Sequence, residues 1–317
     1  MKNLLNKYNL GWLIILLSTY FIISALISAG VINALYQITL MTIGINIILA
    51  VSLNLVIGVT GQFSLGHAGF MCIGAYSTAI IVKLMPSLSG LLLGMLVGAV
   101  ISAIVALIVA IPTLRLRGDY LAIATLGFGE IIRIIVLNLE ITNGASGIFG
   151  IAKLTDWTIL FIFMTLAILV VVNFGRSAPG RACISIREDE IASEAMGINT
   201  TKYKTIAFVI GAILASCAGA LYACNFFVIK PGLFDFNKSI DILVIVVFGG
   251  MGSVTGSVIA AIVIGIINLL LQNFSDIRMI IYGLALVLIM IFRPKGLLGT
   301  KEFTVSGLLK KFKKGAE

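Results

Sequence analysis

The feature that most constrains this chain is the recurrence of apolar runs about twenty residues long, separated by short polar stretches. A bilayer core about 30 Å thick is crossed by roughly 20 helical residues. Lipid offers no partner to a free peptide group, so such runs must become helices. The runs expected to span are Leu10–Ala29, Ala34–Ile57, Phe63–Val82, Leu88–Ile111, Tyr120–Leu137, Trp157–Phe174, Thr205–Phe227, Ile240–Met251, Val254–Gln272 and Ile277–Phe292. They predict an all-α polytopic membrane protein of about ten transmembrane helices, the eighth short and ended by glycine. Composition agrees: 317 residues that are 60% hydrophobic and 11% charged hold more apolar surface than a soluble chain can cover with a polar skin. The first run follows Lys2 and Lys7, is long for a secretory signal and lacks a small-x-small cleavage site. It is read as a retained span.

Charge then sets the expected orientation. The formal net charge is +9, from 22 Lys and Arg against 13 Asp and Glu. In a soluble protein that excess would point to nucleic acid. Here the basic residues lie between and beyond the apolar runs, where they set topology and attract anionic lipid, so membrane lipid is the partner and nucleic acid is not. With both termini cytoplasmic, one side receives Lys2, Lys7, Arg115, Arg117, Arg176, Arg181, Arg187, Lys202, Lys204 and the tail from Arg293 to Lys314. The other side receives Lys83, Lys153, Lys230, Lys238 and Arg278, a split of roughly 16 to 5. The positive-inside rule favours that arrangement. The expected layout is a cytoplasmic N-terminus (1–9), a transmembrane domain (10–292) with a cytoplasmic loop (175–204), and a basic cytoplasmic tail (293–317). Within the tail, Leu308–Lys314 reads either as a segment lying on anionic headgroups or as a solvated end. The cysteines Cys72, Cys183, Cys217 and Cys224 form no Cys-x-x-Cys pair, and His67 is the one histidine. They read as packing residues; no metal site and no cofactor is expected.

Three segments are more than apolar filler. The polar insertion Gly175–Lys204 centres on Ile186–Met196, where Ile186, Ile191, Ala192, Ala195 and Met196 interleave with Arg187, Glu188, Asp189, Glu190 and Glu194. That pattern predicts one short amphipathic helix, stopped by Gly197 and Asn199. Isolated, such a helix is marginal, so it either docks into a soluble partner with its acids setting register, or packs on the membrane face as a connector. The segment Gly58–Tyr76 mixes five glycines with Gln62, Ser64 and His67 at the start of a span. Glycine there serves close helix packing, or local unwinding that frees backbone groups for a ligand. A second glycine-rich break, Gly249–Gly256, resembles the first too weakly to make an internal repeat. Lastly, Glu130 and Arg133 stand three residues apart in an apolar run and share a helix face. An ionised group at mid-membrane costs about 2.5–3.5 kcal/mol, so a partner or an aqueous cavity is expected. The pair reads as a pathway element or as a structural ion pair, and the nearby span end at Asn138 favours the second.

Four ordered stretches resemble a known family. They are NLVIGVTGQFSLGHAGFMCIGAY (54–76), LRLRGDYLAIATLGFGEIIR (114–133), IREDEIASEAMGIN (186–199) and FGGMGSVTGSVIAA (248–261). They resemble the LivH/LivM-type permeases of branched-chain amino-acid ABC transporters, the second stretch pointing to the LivM branch. The resemblance runs from about residue 35 to residue 300. It implies a transporter subunit that is not itself an enzyme, assembled with a second, LivH-like permease subunit, two ABC ATPase subunits and an extracytoplasmic solute-binding protein. It also implies that the 175–204 loop couples to the ATPase through Arg187, Glu188, Asp189, Glu190, Ala192, Glu194, Ala195 and Gly197. The loop departs from the general ABC-permease pattern: Glu190-Ile191-Ala192 stands one residue further from Gly197, and no Ile-x-Leu-Pro ending follows. The implied location is the inner membrane of a prokaryote and the implied substrate a branched-chain amino acid; urea or short amides are the alternative within the same superfamily.

Mechanism can be narrowed from the residues. No Gly-Lys-Ser or Gly-Lys-Thr occurs, so the chain carries no P-loop and its energy must come from a partner or an ion gradient. An ion-coupled transporter would place acids or histidines in the membrane as relays, and Glu130, Asp119 and Asp241 are thin support for that. No channel filter or enzyme constellation is visible. For the substrate pathway the candidates are Gly61, Gln62, Ser64, His67 and Gly69.

Overall fold

The computed structural model describes residues 7–30, 32–113, 116, 118–271, 283, 284, 287, 296–299 and 302, with side chains of the first helix from Leu16 onward. The expected last span Ile277–Phe292 and the basic tail lie, apart from those few positions, outside the described residues. The helices are α1 (Lys7–Ser28), α2 (Ala34–Asn54), α3 (His67–Leu84), α4 (Leu88–Thr113), α5 (Asp119–Asn138), α6 (Trp157–Arg176), α7 (Ala178–Glu188), α8 (Glu190–Ala195), α9 (Thr200–Phe226), α10 (Phe236–Gly249) and α11 (Val254–Leu270). Strands β1 (Ile148–Phe149) and β2 (Val228–Ile229) pair antiparallel. The chain is an all-α polytopic membrane protein. Among the described residues six helices are long and apolar enough to cross a bilayer: α2 with its extension to Val59, α3, α4, α5, α6 and α9. Residues Pro231–Gly249 and α11 form a further pair bent by 120°.

The apolar pattern gives the helices, and polar residues at the loops give their ends. Ser177, Asp189, Asn199, Asp235 and Ser253 each accept a backbone N–H from the first turn of the helix that follows. Helix α3 is different, because it starts at Gly66, which has no side chain to cap with. Its neighbours do the capping instead. The Leu65 N–H donates to Thr125 Oγ1 of α5 at 3.0 Å, and the Ala68 N–H to Ser239 Oγ of α10 at 3.2 Å.

Helix α2 is the central post, with 83% of its most apolar stretch buried against 28% for α5 and α6. Helices α6, α9, α10 and α11 pack around it, and α3, α4 and α9 pack on one another through small residues. A Cβ at Gly74 would lie 1.9 Å from the Ser216 carbonyl oxygen, so α3 and α9 touch backbone to backbone. Helices α10 and α11 form a hairpin beside α2. Lys238 of α10 reaches Asn46, the turn between the two helices reaches Asn54, and Gly265 of α11 lies against Ile43. The chain therefore descends along α2 and returns along it, with its elbow at Gly250–Ser253.

Helix α9 carries the chain about 40 Å in 27 residues, from α8 at one face of the bundle to β2 at the other. These are called the loop face and the strand face below. Several boundaries differ from the sequence reading. The third span starts at His67 instead of Phe63, because the chain leaves the helix at Gly61 (φ 73°), a left-handed position that glycine adopts without steric cost. The eighth starts at Phe236, where Asp235 caps it, and α9 starts at Thr200, capped by Asn199. The single amphipathic helix expected over Ile186–Met196 is two helices. Asp189 is extended (φ −156°, ψ 109°) and its carboxylate accepts the Ala192 N–H at 3.0 Å, ending α7 and starting α8.

Candidate functional site

Both glycine-rich breaks and the α7–α8 loop meet at one junction on the loop face. Helix α2 does not end at Asn54 but widens into a π turn over Leu55–Val59. After the wide turn the Gly61 N–H bonds the Ile57 carbonyl at 3.1 Å and the Gln62 N–H the Val56 carbonyl at 3.2 Å. The Gly58 carbonyl is thereby passed over, and it accepts Nη1 of Arg187 at 2.6 Å. Asn54, 1% exposed, closes the other side. Its Nδ2 donates to the Ser253 carbonyl at 2.8 Å and to Ser257 Oγ at 2.9 Å, while its Oδ1 accepts the Gly252 N–H at 2.8 Å. Three of the four hydrogen bonds an amide side chain can make are thus spent here, two on the elbow and one on the first turn of α11. From the far end of the chain, the Leu297 N–H reaches the Phe248 carbonyl at 2.9 Å and Glu302 accepts the Val254 N–H at 2.7 Å.

Beyond Gly61 the chain turns back into the bundle as a non-helical strand of six residues, 61–66. Gln62 and Ser64 are buried, 3% and 2% exposed, and Gln62 finds no side-chain hydrogen-bond partner among the described residues. His67 is buried where α3 begins, its Nε2 2.7 Å from Ser52 Oγ. Ser52 spends its own proton on the Leu49 carbonyl at 2.9 Å, so the network assigns the proton between the two side chains to His67 Nε2. Gly69 packs on α5: a Cβ there would lie 2.9 Å from Gly129 Cα. Beside it a small, shallow cleft is lined by Leu65, Gly69, Leu126, Glu130, Phe234 and Asp235, among others. Glu130 is bound to Arg133 Nε at 2.7 Å, and each side chain is about a quarter exposed. The five pathway candidates thus lie along one stretch, with Gly61 on the loop face and Gly69 at the cleft, and Glu130 of the ion pair lines that same cleft.

The loop residues divide by what they touch. Ile186 and Cys183 are buried against the bundle, and burial pushes the Cys183 thiol up to about 11. Glu190 receives Nζ of Lys204, itself 7% exposed, at 2.6 Å, which ties α8 to the start of α9. Glu194 accepts from Thr200 Oγ1, and Glu188 holds Nε and Nη2 of Arg187. Ala192, Ala195 and Gly197 are exposed, and Gly197 (φ 82°) ends the loop helix. Ile191 and Met196 project outward, 68% and 83% exposed.

A family model described as "Branched-chain amino acid transport system / permease component" matches residues 34–292. The chain belongs to the branched-chain amino acid transport permease family. Among its relatives, the high-affinity branched-chain amino acid transport system permease protein LivM of Escherichia coli (strain K12) is 36% identical, covering 80% of this chain and 68% of the relative. BraD of Pseudomonas aeruginosa, a permease of the same description, is 32% identical over 49% of this chain and 53% of its own length. LivH of Salmonella typhimurium is 31% identical over 50% and 52%. A solved structure, PsaBC from Streptococcus pneumoniae in complex with Fab, aligns with a TM-score of 0.44 at 15% identity over 86% of this chain and 96% of that one, and at that distance carries no argument.

For this permease the sequence reading named most of the residues at the junction but missed the ones that join it. Asn54 is a polar residue in an apolar helix, which was a usable signal, because a buried amide needs partners. Gly252 and Ser253 lay in a break already singled out. Nothing in the sequence pairs positions 54 and 252, or tells that Arg187 turns inward while Glu188 and Asp189 face out.

Proposed function

We propose that this chain is the membrane-spanning permease subunit of an ABC importer that moves branched-chain amino acids into the cytoplasm by ATP-driven alternating access. The observation that carries the reading is the α7–α8 unit. One side is anchored in the bundle by Cys183, Ile186 and the Lys204–Glu190 pair. The other side presents Ile191 and Met196 to the outside, together with the exposed acids Glu188, Asp189 and Glu194. Exposed apolar anchors with a charged rim are what a helix needs to dock in a groove of a soluble protein. ATP hydrolysis belongs to that partner, since this chain has no P-loop.

On this reading the loop face, with Arg176, Arg181, Arg187, Lys202 and Lys204, is cytoplasmic, as are both termini. The architecture is ten spans: the six long helices, α1, the two arms of the α10–α11 hairpin, and the apolar run Ile277–Phe292 read from the sequence. The permease works beside a LivH-like second subunit and receives solute from an extracytoplasmic binding protein. Residues 61–69, from Gln62 past His67, line the solute's route. The Glu130 carboxylate is already neutralised by Arg133, which argues against its use as a proton relay.

The test is co-purification of the ATPase subunits with the tagged permease from solubilised membranes, wild type against Ile191→Glu/Met196→Glu. Both side chains are exposed, so the fold is retained. Loss of the ATPase from the double variant supports the reading. Failure of any ATPase to accompany the folded wild type, or undiminished recovery with the variant, overturns it.

A further inference from the structure

We infer that Arg187 is the positioning residue that transmits motion of the docking loop to the transmembrane bundle, by tying α7 to the π turn of α2 with its guanidinium seated against the α10–α11 elbow. The inference rests on the importer reading above and deepens it. Arg187 lies in the last turn of α7, followed by the exposed Glu188 and Asp189, yet its own side chain is 27% exposed and runs inward. Its donors are divided in two directions. Nη1 goes to the Gly58 carbonyl, and Nε and Nη2 go to Glu188 at 3.1 and 2.5 Å.

The surroundings are shaped for that side chain. The π turn is what leaves the Gly58 carbonyl without a helical donor, since the Gln62 N–H that an α-helix would send there goes to Val56. A Cβ at Gly61 would lie 2.9 Å from Arg187 Cγ, and one at Gly252 would lie 3.1 Å from Nη1. One glycine from each break therefore makes room for the arginine. The guanidinium also sits at the carbonyl end of α2, where a cation complements the helix dipole. A push on α8 thus reaches two places that can give. One is the non-helical stretch 61–66 joining α2 to α3; the other is the elbow that Asn54 clasps. Lysine's three N–H donors sit on one nitrogen and lack the planar fork that lets arginine hold Gly58 and Glu188 in two directions.

The experiment uses the complete transporter, with both permease subunits and ATPases in proteoliposomes and the leucine-loaded binding protein outside. Wild type, Arg187→Ala and Arg187→Lys are compared for ATPase recovery, ATP hydrolysis and leucine uptake. The result expected for Arg187→Ala is normal ATPase recovery and continuing hydrolysis, with leucine moved per ATP down roughly tenfold, inside the 5–150-fold range of typical coupling between sites. Arg187→Lys falls between the two. Unchanged leucine per ATP in Arg187→Ala overturns the inference, and so does loss of the ATPase from both variants, which would make Arg187 a docking contact. If the alanine variant does not fold, the lysine variant decides in the same way: a lowered ratio supports the link and a wild-type ratio refutes it. Absence of any ATPase from the wild-type complex would instead sink the importer reading on which the inference stands.

Discussion

Replacing Gly58 by alanine probes the junction at its tightest point. The added Cβ would sit 2.1 Å from Asn54 Oδ1, 2.2 Å from the Gly252 nitrogen and 2.7 Å from Gly252 Cα. Two of those atoms are backbone, so no rotamer change relieves the clash. Ordinary contact begins at 3.4 Å, so the elbow must withdraw by roughly 1.2 Å. That movement stretches the 2.8 Å bond from the Gly252 N–H to Asn54 beyond use and disturbs the Arg187 bond to Gly58. Overpacking of this kind costs about 1–3 kcal/mol, and each lost hydrogen bond about 1 kcal/mol more, for a total of about 3–5 kcal/mol. At about 2 °C per kcal/mol for a large chain, the melting midpoint of the solubilised protein falls by about 6–10 °C. Size-exclusion chromatography after heating, monitored by fluorescence, reads it directly. Gly127→Ala is the control: nothing lies within 4 Å of its Cβ position, and alanine favours helix by about 0.8–1 kcal/mol, so its midpoint stays level or rises. A Gly58→Ala midpoint equal to that of wild type would refute the close contact between π turn and elbow.

Three further outcomes are expected. Glu190→Gln leaves Lys204 buried without its carboxylate and lowers stability by about 1–3 kcal/mol, whereas Glu188→Gln, on a side chain 68% exposed, changes it by less than about 1 kcal/mol; equal melting curves for the two would contradict the anchoring role. The Cys183 thiol has a folded pKa of about 11 against an ordinary 9.0, because burial disfavours the thiolate. Its contribution to stability is therefore full below about pH 9 and lost as pH rises towards 11, and maleimide labelling at pH 8 runs far slower in folded than in denatured protein. Gln62→Leu removes a buried amide that has no side-chain partner among the described residues, so the protein melts higher while leucine uptake falls; a variant that transports as wild type removes Gln62 from the pathway.

How much of this was legible beforehand differs by kind of feature. Apolar runs made α2, α4 and α6 visible nearly to their ends, because the bilayer fixes both length and composition of a crossing helix. The retreat of α3 to His67 was less visible: Phe63 and Leu65 are as apolar as span residues, and the break depends on a positive φ at Gly61. The division of the loop helix at Asp189 follows capping chemistry that an amphipathic pattern hides, since one acid can be either a surface residue or an N-cap. Both glycine-rich breaks were singled out, but their meeting was not. The bond from Asn54 to Gly252 joins positions 198 residues apart, and no periodicity carries that information. Arg187 is read among the loop residues that couple to the ATPase, and only the orphaned carbonyl at Gly58 explains its inward course.

The central claim is that this permease moves branched-chain amino acids at the expense of ATP hydrolysed by a partner. The most direct measurement is uptake of radiolabelled leucine into proteoliposomes holding the assembled complex, with binding protein outside and ATP or a non-hydrolysable analogue trapped within. The account predicts accumulation that requires hydrolysable ATP, persists when proton and sodium gradients are collapsed, and disappears with the Ile191→Glu/Met196→Glu loop. Leucine accumulation that follows an ion gradient and ignores ATP would contradict it.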